Sequence, residues 1–190
     1  MGICEKRTCT TGTPAIDVRC WVQGAIRTRL QIIDATYGYD ADGFPVITLF
    51  GLTEQGDPVT KYVTGFLPYF YIDSRDVQRI NQLLGHITDS IGIMIKTEIV
   101  DRFGPLGYQS KTRKMIKVTT RNPKDVKILR DFCEENLCTT YESDIFFKDR
   151  FMVDHELSGM SWCIVPKKQY IHHMDIIPQG DRTNAPLRIM

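Results

Sequence analysis

Residues 113–130, RKMIKVTTRNPKDVKILR, carry a strand and a helix back to back, and their reading decides the fold. Side chains alternate faces along a strand, so Lys114, Ile116, Val118 and Thr120 form one set, with an apolar middle. Arg113, Met115, Lys117, Thr119 and Arg121 form the other. Asn122 is suited to cap a helix, Pro123 to occupy its first turn and Asp125 to favour its dipole. Val126, Leu129, Phe132, Cys133 and Leu137 make the apolar stripe of that helix.

The same rhythm extends in both directions. PYFYI (68–72) reads as a short aromatic strand. Val77, Ile80, Leu83, Leu84 and Ile87 follow at helical spacing, with Ser74 as cap and Asp76 in the first turn. IGIMIKTEIV is a β-branched strand, FGPLGYQSK a turn-rich connection, and Thr139–Ile145 a returning strand. The order is β-α-β-β-α-β, the split βαβ arrangement of ferredoxin-like and RNA-recognition-type domains, over residues 67–146. In it the first and third strands are central, and helices cover one sheet face.

The other face is expected to be open. Phe70 and Ile72 belong beneath the helices, which leaves Tyr69 and Tyr71 outside, beside Met115 and flanked by Arg113, Lys117 and Arg121. Aromatic rings stack on bases and cations neutralise phosphates, so this face is a candidate for single-stranded nucleic acid. Between Lys111 and Arg130 there are eight Lys or Arg and one acid, Asp125. Lys124, Lys127 and Arg130 stripe one side of the second helix. The competing reading is a solvated helix and a polar sheet face. The glycine and paired aromatics of sequence-specific RNA readers are absent from the third strand.

Upstream, residues 1–15 are a polar tail, and residues 16–66 read as an antiparallel β-meander. Its strands are VRCWV, RLQIIDATY, PVITLF and VTKYVTGF, separated by the turn clusters DADGFP and TEQGDP. Residues 147–190 form a return segment. The fold class is therefore α+β, a meander plus a βαββαβ subdomain.

A net charge of +1 puts the burden of any nucleic-acid case on where the charges lie. No apolar run approaches the ~20 residues of a membrane span, and the first residues lack a signal-peptide core, so no membrane partner and an intracellular location are expected. Lys6 stands where myristoylation favours Ser or Thr. The six cysteines show no CxxC pair and read as reduced thiols.

Catalytic chemistry is missing. Asp175 lacks a second acid at metal-binding spacing, and Asp144, Asp149 and Asp154 recur every five residues, on no single face. The adjacent His172 and His173 read as exposed loop residues. No metal site, cofactor or catalytic residue is expected in the segment itself.

Four stretches together resemble family B DNA polymerases: IIDATYGYDADGFPVITLFG, GFLPYFYI, RFGPLGYQSKTRKMIKVTTRNPKDVKILRD, and YESDIFFKDRFMVDHELSGMSW with VPKKQY. The last is most similar to the delta-type subgroup and its archaeal and viral relatives. The resemblance implies an N-terminal domain of a DNA-directed DNA polymerase with 3′–5′ exonuclease, working in the cytoplasm or nucleoid if archaeal and the nucleus if eukaryotic. Such a domain packs beside the exonuclease and lines the path of single-stranded template DNA. In this family APLRI leads into the exonuclease Asp-x-Glu strand, which is expected just past Met190. Implied partners are the template, the exonuclease and polymerase domains of the same protein, and a sliding clamp for the intact enzyme, which would use Mg²⁺. Archaeal members also stall at template uracil. Tyr37, Pro68 and Tyr69 match positions around that uracil pocket, and counting back from Asn122-Pro123 puts the residue of its floor, a small aliphatic in the family, at Met115. The alternatives from the residues alone are a stand-alone βαββαβ module binding RNA or protein, and a small-molecule regulatory domain.

Overall fold

The computed structural model describes residues 26–73, 77–104 and 111–180. Three long strands come first among the described residues and form a meander: β1 (Arg27–Tyr39), β2 (Pro45–Thr53) and β3 (Pro58–Thr64). Their turns form where polar residues accept backbone hydrogens. The Asp40 carboxylate accepts from the amides of Asp42 and Phe44 at 3.0 and 2.7 Å, and Gly43 takes the left-handed conformation with φ of 76°.

The second unit follows as β4 (Tyr69–Asp73), α1 (Val77–Ile91), β5 (Ile95–Arg102), β6 (Arg113–Thr120), α2 (Pro123–Glu135) and β7 (Thr140–Tyr141). Its sheet order is β5-β6-β4-β7, all antiparallel, with β4 and β6 central as the split βαβ pattern requires. Asn122 caps α2 through its side-chain oxygen, which accepts from the Lys124 amide, and Pro123 follows it in the first turn. Phe70, Ile72, Ile116 and Val118 pack beneath the helices against Ile80, Leu84, Ile87, Val126 and Leu129. The alternation of β4 and β6 thus sorts their side chains as the sequence indicates.

The opposite face of this sheet is not open. Tyr69, Tyr71 and Met115 are 8, 4 and 2% exposed, and they share a core with Leu30, Ile32, Ile47, Leu49 and Val63 of the first sheet. The reason is reciprocal need. The meander has an apolar inner face that must be covered, and the aromatic face of the second sheet covers it. Arg113 and Lys117 are consequently half-buried.

The return segment completes the first sheet. After α3 (Phe147–Asp154), β8 (Trp162–Pro166) pairs with β1 and β10 (Ile177–Gln179) pairs with β8, while β9 (Tyr170–His172) runs parallel to β3. The order is β10-β8-β1-β2-β3-β9. A 3₁₀ turn, His173–Asp175, links β9 to β10.

Two local expectations fail for definable reasons. Leu137 is 87% exposed and takes φ of 58°, so it does not extend the α2 stripe. It ends the helix instead: its amide donates to Glu134 and that of Cys138 to Cys133, the paired bonds of a Schellman turn. The last strand shrinks from residues 139–145 to two, because Glu142 at φ of 60° turns the chain away. VRCWV, Ser74, Asp76, Cys4, Cys9, Cys20 and the closing APLRIM lie outside the described residues.

Candidate nucleic-acid interface

The α2 cap and the start of α3 face each other across a cavity of about 480 Å³. Tyr37 of β1, Pro68 and Tyr69 at the start of β4, Val126 of α2, and Phe147 and Arg150 of α3 line it. Lys124, Lys127 and Arg130 line its α2 side. Tyr37 is 39% exposed and meets Phe147 edge-on, with ring centroids 5.4 Å apart. Arg130 is engaged by Asp131 at 2.7 Å and Glu134 at 4.0 Å. Lys124 and Lys127 are exposed and form no ion pair among the described residues.

Tyr69 forms the wall between this groove and a second cavity of about 270 Å³. Its ring lies between two cations, Lys117 Nζ at 4.0 Å and Arg150 Cζ at 4.8 Å from the centroid. Its hydroxyl donates to Asp154 at 2.5 Å. Burial and that bond to a carboxylate push the phenol well above its ordinary pKa, so Tyr69 remains a neutral donor. Arg150, 7% exposed, is held by the Glu142 carboxylate at 2.6 Å and the Glu142 carbonyl at 3.2 Å, which ties α3 to the end of β7.

The residues singled out in the sequence therefore separate. Tyr37, Pro68 and Tyr69 converge on the groove. Tyr71 and Met115 line the second cavity with Arg102 and Tyr141. Arg113 pairs with Asp73 at 3.5 Å and covers the Tyr141 ring, while Lys117 covers Tyr69. Arg121 stacks on Phe44 and donates to the Asp42 carbonyl, pinning the β1–β2 turn. The small aliphatic residue that lines the groove is Val126, and Met115 does not reach it.

Phe147 and Arg150 were missed because α3 gave no clear helical signal. Its cap position is Phe146, which makes no side-chain hydrogen bond, and an arginine occupies one of the three inward positions. The spacing of Phe147, Arg150 and Phe151 was the available clue.

Among the described residues, no group of three His, Cys, Asp or Glu side chains is placed to hold a metal ion. Cys133 and Cys163 are buried free thiols, with pKa values pushed up to about 12 by burial. His172 is exposed, but His173 is not the free loop residue expected: its Nδ1 lies 3.2 Å from His155 Nε2, beside the Phe66 ring. Burial, then the neighbouring His172 and His155, hold His173 down to about 4. An unfolded chain protonates this histidine near its ordinary pKa of ~6.5, well before the native state does. Stability should thus fall as pH drops from ~6.5 towards 4, by about 1–2 kcal/mol after allowing for solvent screening. Urea midpoints at neutral and acidic pH should differ less in His173→Gln than in the parent; an equal difference would refute the assignment.

No protein-family model matches the chain. Curated relatives do. The DNA polymerase delta catalytic subunit of Schizosaccharomyces pombe is 30% identical over 77% of this chain, and that of Arabidopsis thaliana is 32% identical over 66%. The chain spans only 17% and 14% of those proteins' lengths. Among solved structures, the family B DNA polymerase of Pyrobaculum calidifontis superposes with a TM-score of 0.58 and 26% identity, over 72% of this chain and 17% of that one. The two packed sheets, with α1 and α2 on the outer side of the second, are thus a family B polymerase N-terminal fold. The chain belongs to the family B DNA polymerases, and relatives of delta type match about two thirds of it or more. None of the described helices is long and apolar enough to cross a membrane.

Proposed function

We propose that this region guides the single-stranded template of a replicative polymerase, with the α2–α3 groove receiving one unstacked base. The observation that carries the reading is the convergence of Tyr37, Pro68 and Tyr69 with Lys124 and Lys127 on one cavity large enough for a base. Tyrosine rings offer stacking surfaces, and the two free lysines neutralise the flanking phosphates. Val126 supports the finer reading that template uracil is sensed there, since a branched aliphatic wall can admit a base without a C5 methyl and obstruct thymine. Polymerase and 3′–5′ exonuclease activities, with their Mg²⁺ and any sliding clamp, belong in this reading to the rest of the enzyme, against whose exonuclease domain this region packs.

The test is anisotropy of a labelled single strand carrying one uracil or one thymine. The uracil strand should bind more tightly, and Val126→Phe, which fills the groove, should erase the preference. Lys124→Gln with Lys127→Gln should lower the slope of log affinity against log salt by about 1.4, or 0.7 for each phosphate released. An unchanged slope in that surface variant would remove the groove from the template path.

A further inference from the structure

The first sheet has a solvent-facing side of its own. Pairing register sets Thr36, Thr48, Tyr62 and Tyr170 in one row across β1, β2, β3 and β9, with Asp34, Phe50 and Thr60 in the next. Tyr170 is 63% exposed, and its ring stacks on Tyr62 with centroids 5.1 Å apart and planes 27° from parallel. Just before it, Lys167, Lys168 and Gln169 are all exposed in the turn that joins β8 to β9.

That turn is held from inside. Lys61, 3% exposed, donates from Nζ to the carbonyls of Pro166, Lys167 and Lys168 at 3.0, 2.8 and 2.8 Å. It has no carboxylate partner among the described residues. A buried ammonium without a counter-ion is costly, and its contribution here is to fix one turn shape. The turn then presents two lysines outward beside a stacked tyrosine pair. Charge is one-sided towards the edge as well: no Asp or Glu occurs in residues 45–53, 58–72 or 157–174, which supply β2, β3, the turn and β9, and Asp34 lies on β1, two strands away from β3.

We propose that this β3–β9 edge is a second contact for single-stranded DNA, a base stacking on Tyr170 while Lys167 and Lys168 neutralise two phosphates. An acid-free cationic turn next to an aromatic platform complements a polyanion with π-faces. A protein partner would call for an apolar centre, and threonines occupy that part of the row. The inference takes the identity of the strand from the polymerase reading but uses none of the groove residues.

The experiment measures binding of the 190-residue chain to a labelled oligothymidylate long enough to exceed the ~16 nucleotides of a large single-strand site. Lys167→Gln with Lys168→Gln should lower the salt slope by about 1.4. Tyr170→Ala should weaken binding about tenfold, within the range for one stacked base. A 5-bromouracil strand should cross-link to the Tyr62 and Tyr170 peptides. Normal affinity, normal slope and cross-links confined to Tyr37 and Tyr69 would overturn the edge contact and leave the groove standing, whatever polypeptide covers the edge instead. Loss in the edge variants alone would sink the groove and keep the edge. No binding by the parent chain would overturn both.

Discussion

Phe151→Ala should lower the free energy of unfolding by about 3–5 kcal/mol, the range for deleting a fully enclosed aromatic side chain. Phe151 has no exposed surface. It meets Phe66 edge-on at 5.3 Å and stacks on His155 at 4.4 Å, within the core that joins α3 to both sheets. The short helix has no side-chain cap, so packing holds it. With the ring removed, α3 should loosen and carry Phe147 and Arg150 away from the groove. Denaturant unfolding measures the first effect and anisotropy the second. A loss below ~1 kcal/mol would mean that α3 is not fixed by this contact.

Lys61→Met should cost about 3 kcal/mol. Methionine keeps the length and apolar stem but removes three donors, and each hydrogen bond to a charged group contributes about 1.5–3 kcal/mol. Losing the ammonium also relieves its desolvation, which offsets part of the total. The remaining deficit falls on the carbonyls of Pro166, Lys167 and Lys168. A variant as stable as the parent in urea would show the buried cation to be a net burden. The same change should weaken oligothymidylate binding by freeing the turn.

Much of the second sheet was legible because local rules agreed there. Asn122 and Pro123 set the start of α2, and two-residue alternation sorted Phe70, Ile72, Ile116 and Val118 from Tyr69, Tyr71 and Met115. What alternation cannot reveal is the partner of a face. Tyr69, Tyr71 and Met115 look equally suited to solvent, nucleic acid or a second sheet, and only the apolar side of the meander, far away in sequence, decides among them. For the same reason the groove was half legible: Tyr37, Pro68 and Tyr69 were named, whereas Val126 was read only as part of the apolar stripe of α2, where it does pack, and Phe147 and Arg150 drew no reading. The aromatic sheet face sought on β4 and β6 exists on β3 and β9, where Tyr62 and Tyr170 meet through a parallel pairing that no periodicity could anticipate.

The pairing of β1 with β8 joins Leu30 to Cys163. During translation, then, β4 through β7 can assemble as a contiguous unit while the meander still lacks one flank. Until the ribosome has delivered residues 147–166, the tyrosine face of that early unit is covered by the meander alone, and the β1 edge that will receive β8 stands unpaired. The nascent polypeptide accordingly carries an unpaired β1 edge from the time the meander forms until β8 arrives, a window in which holdase chaperones would find their substrate.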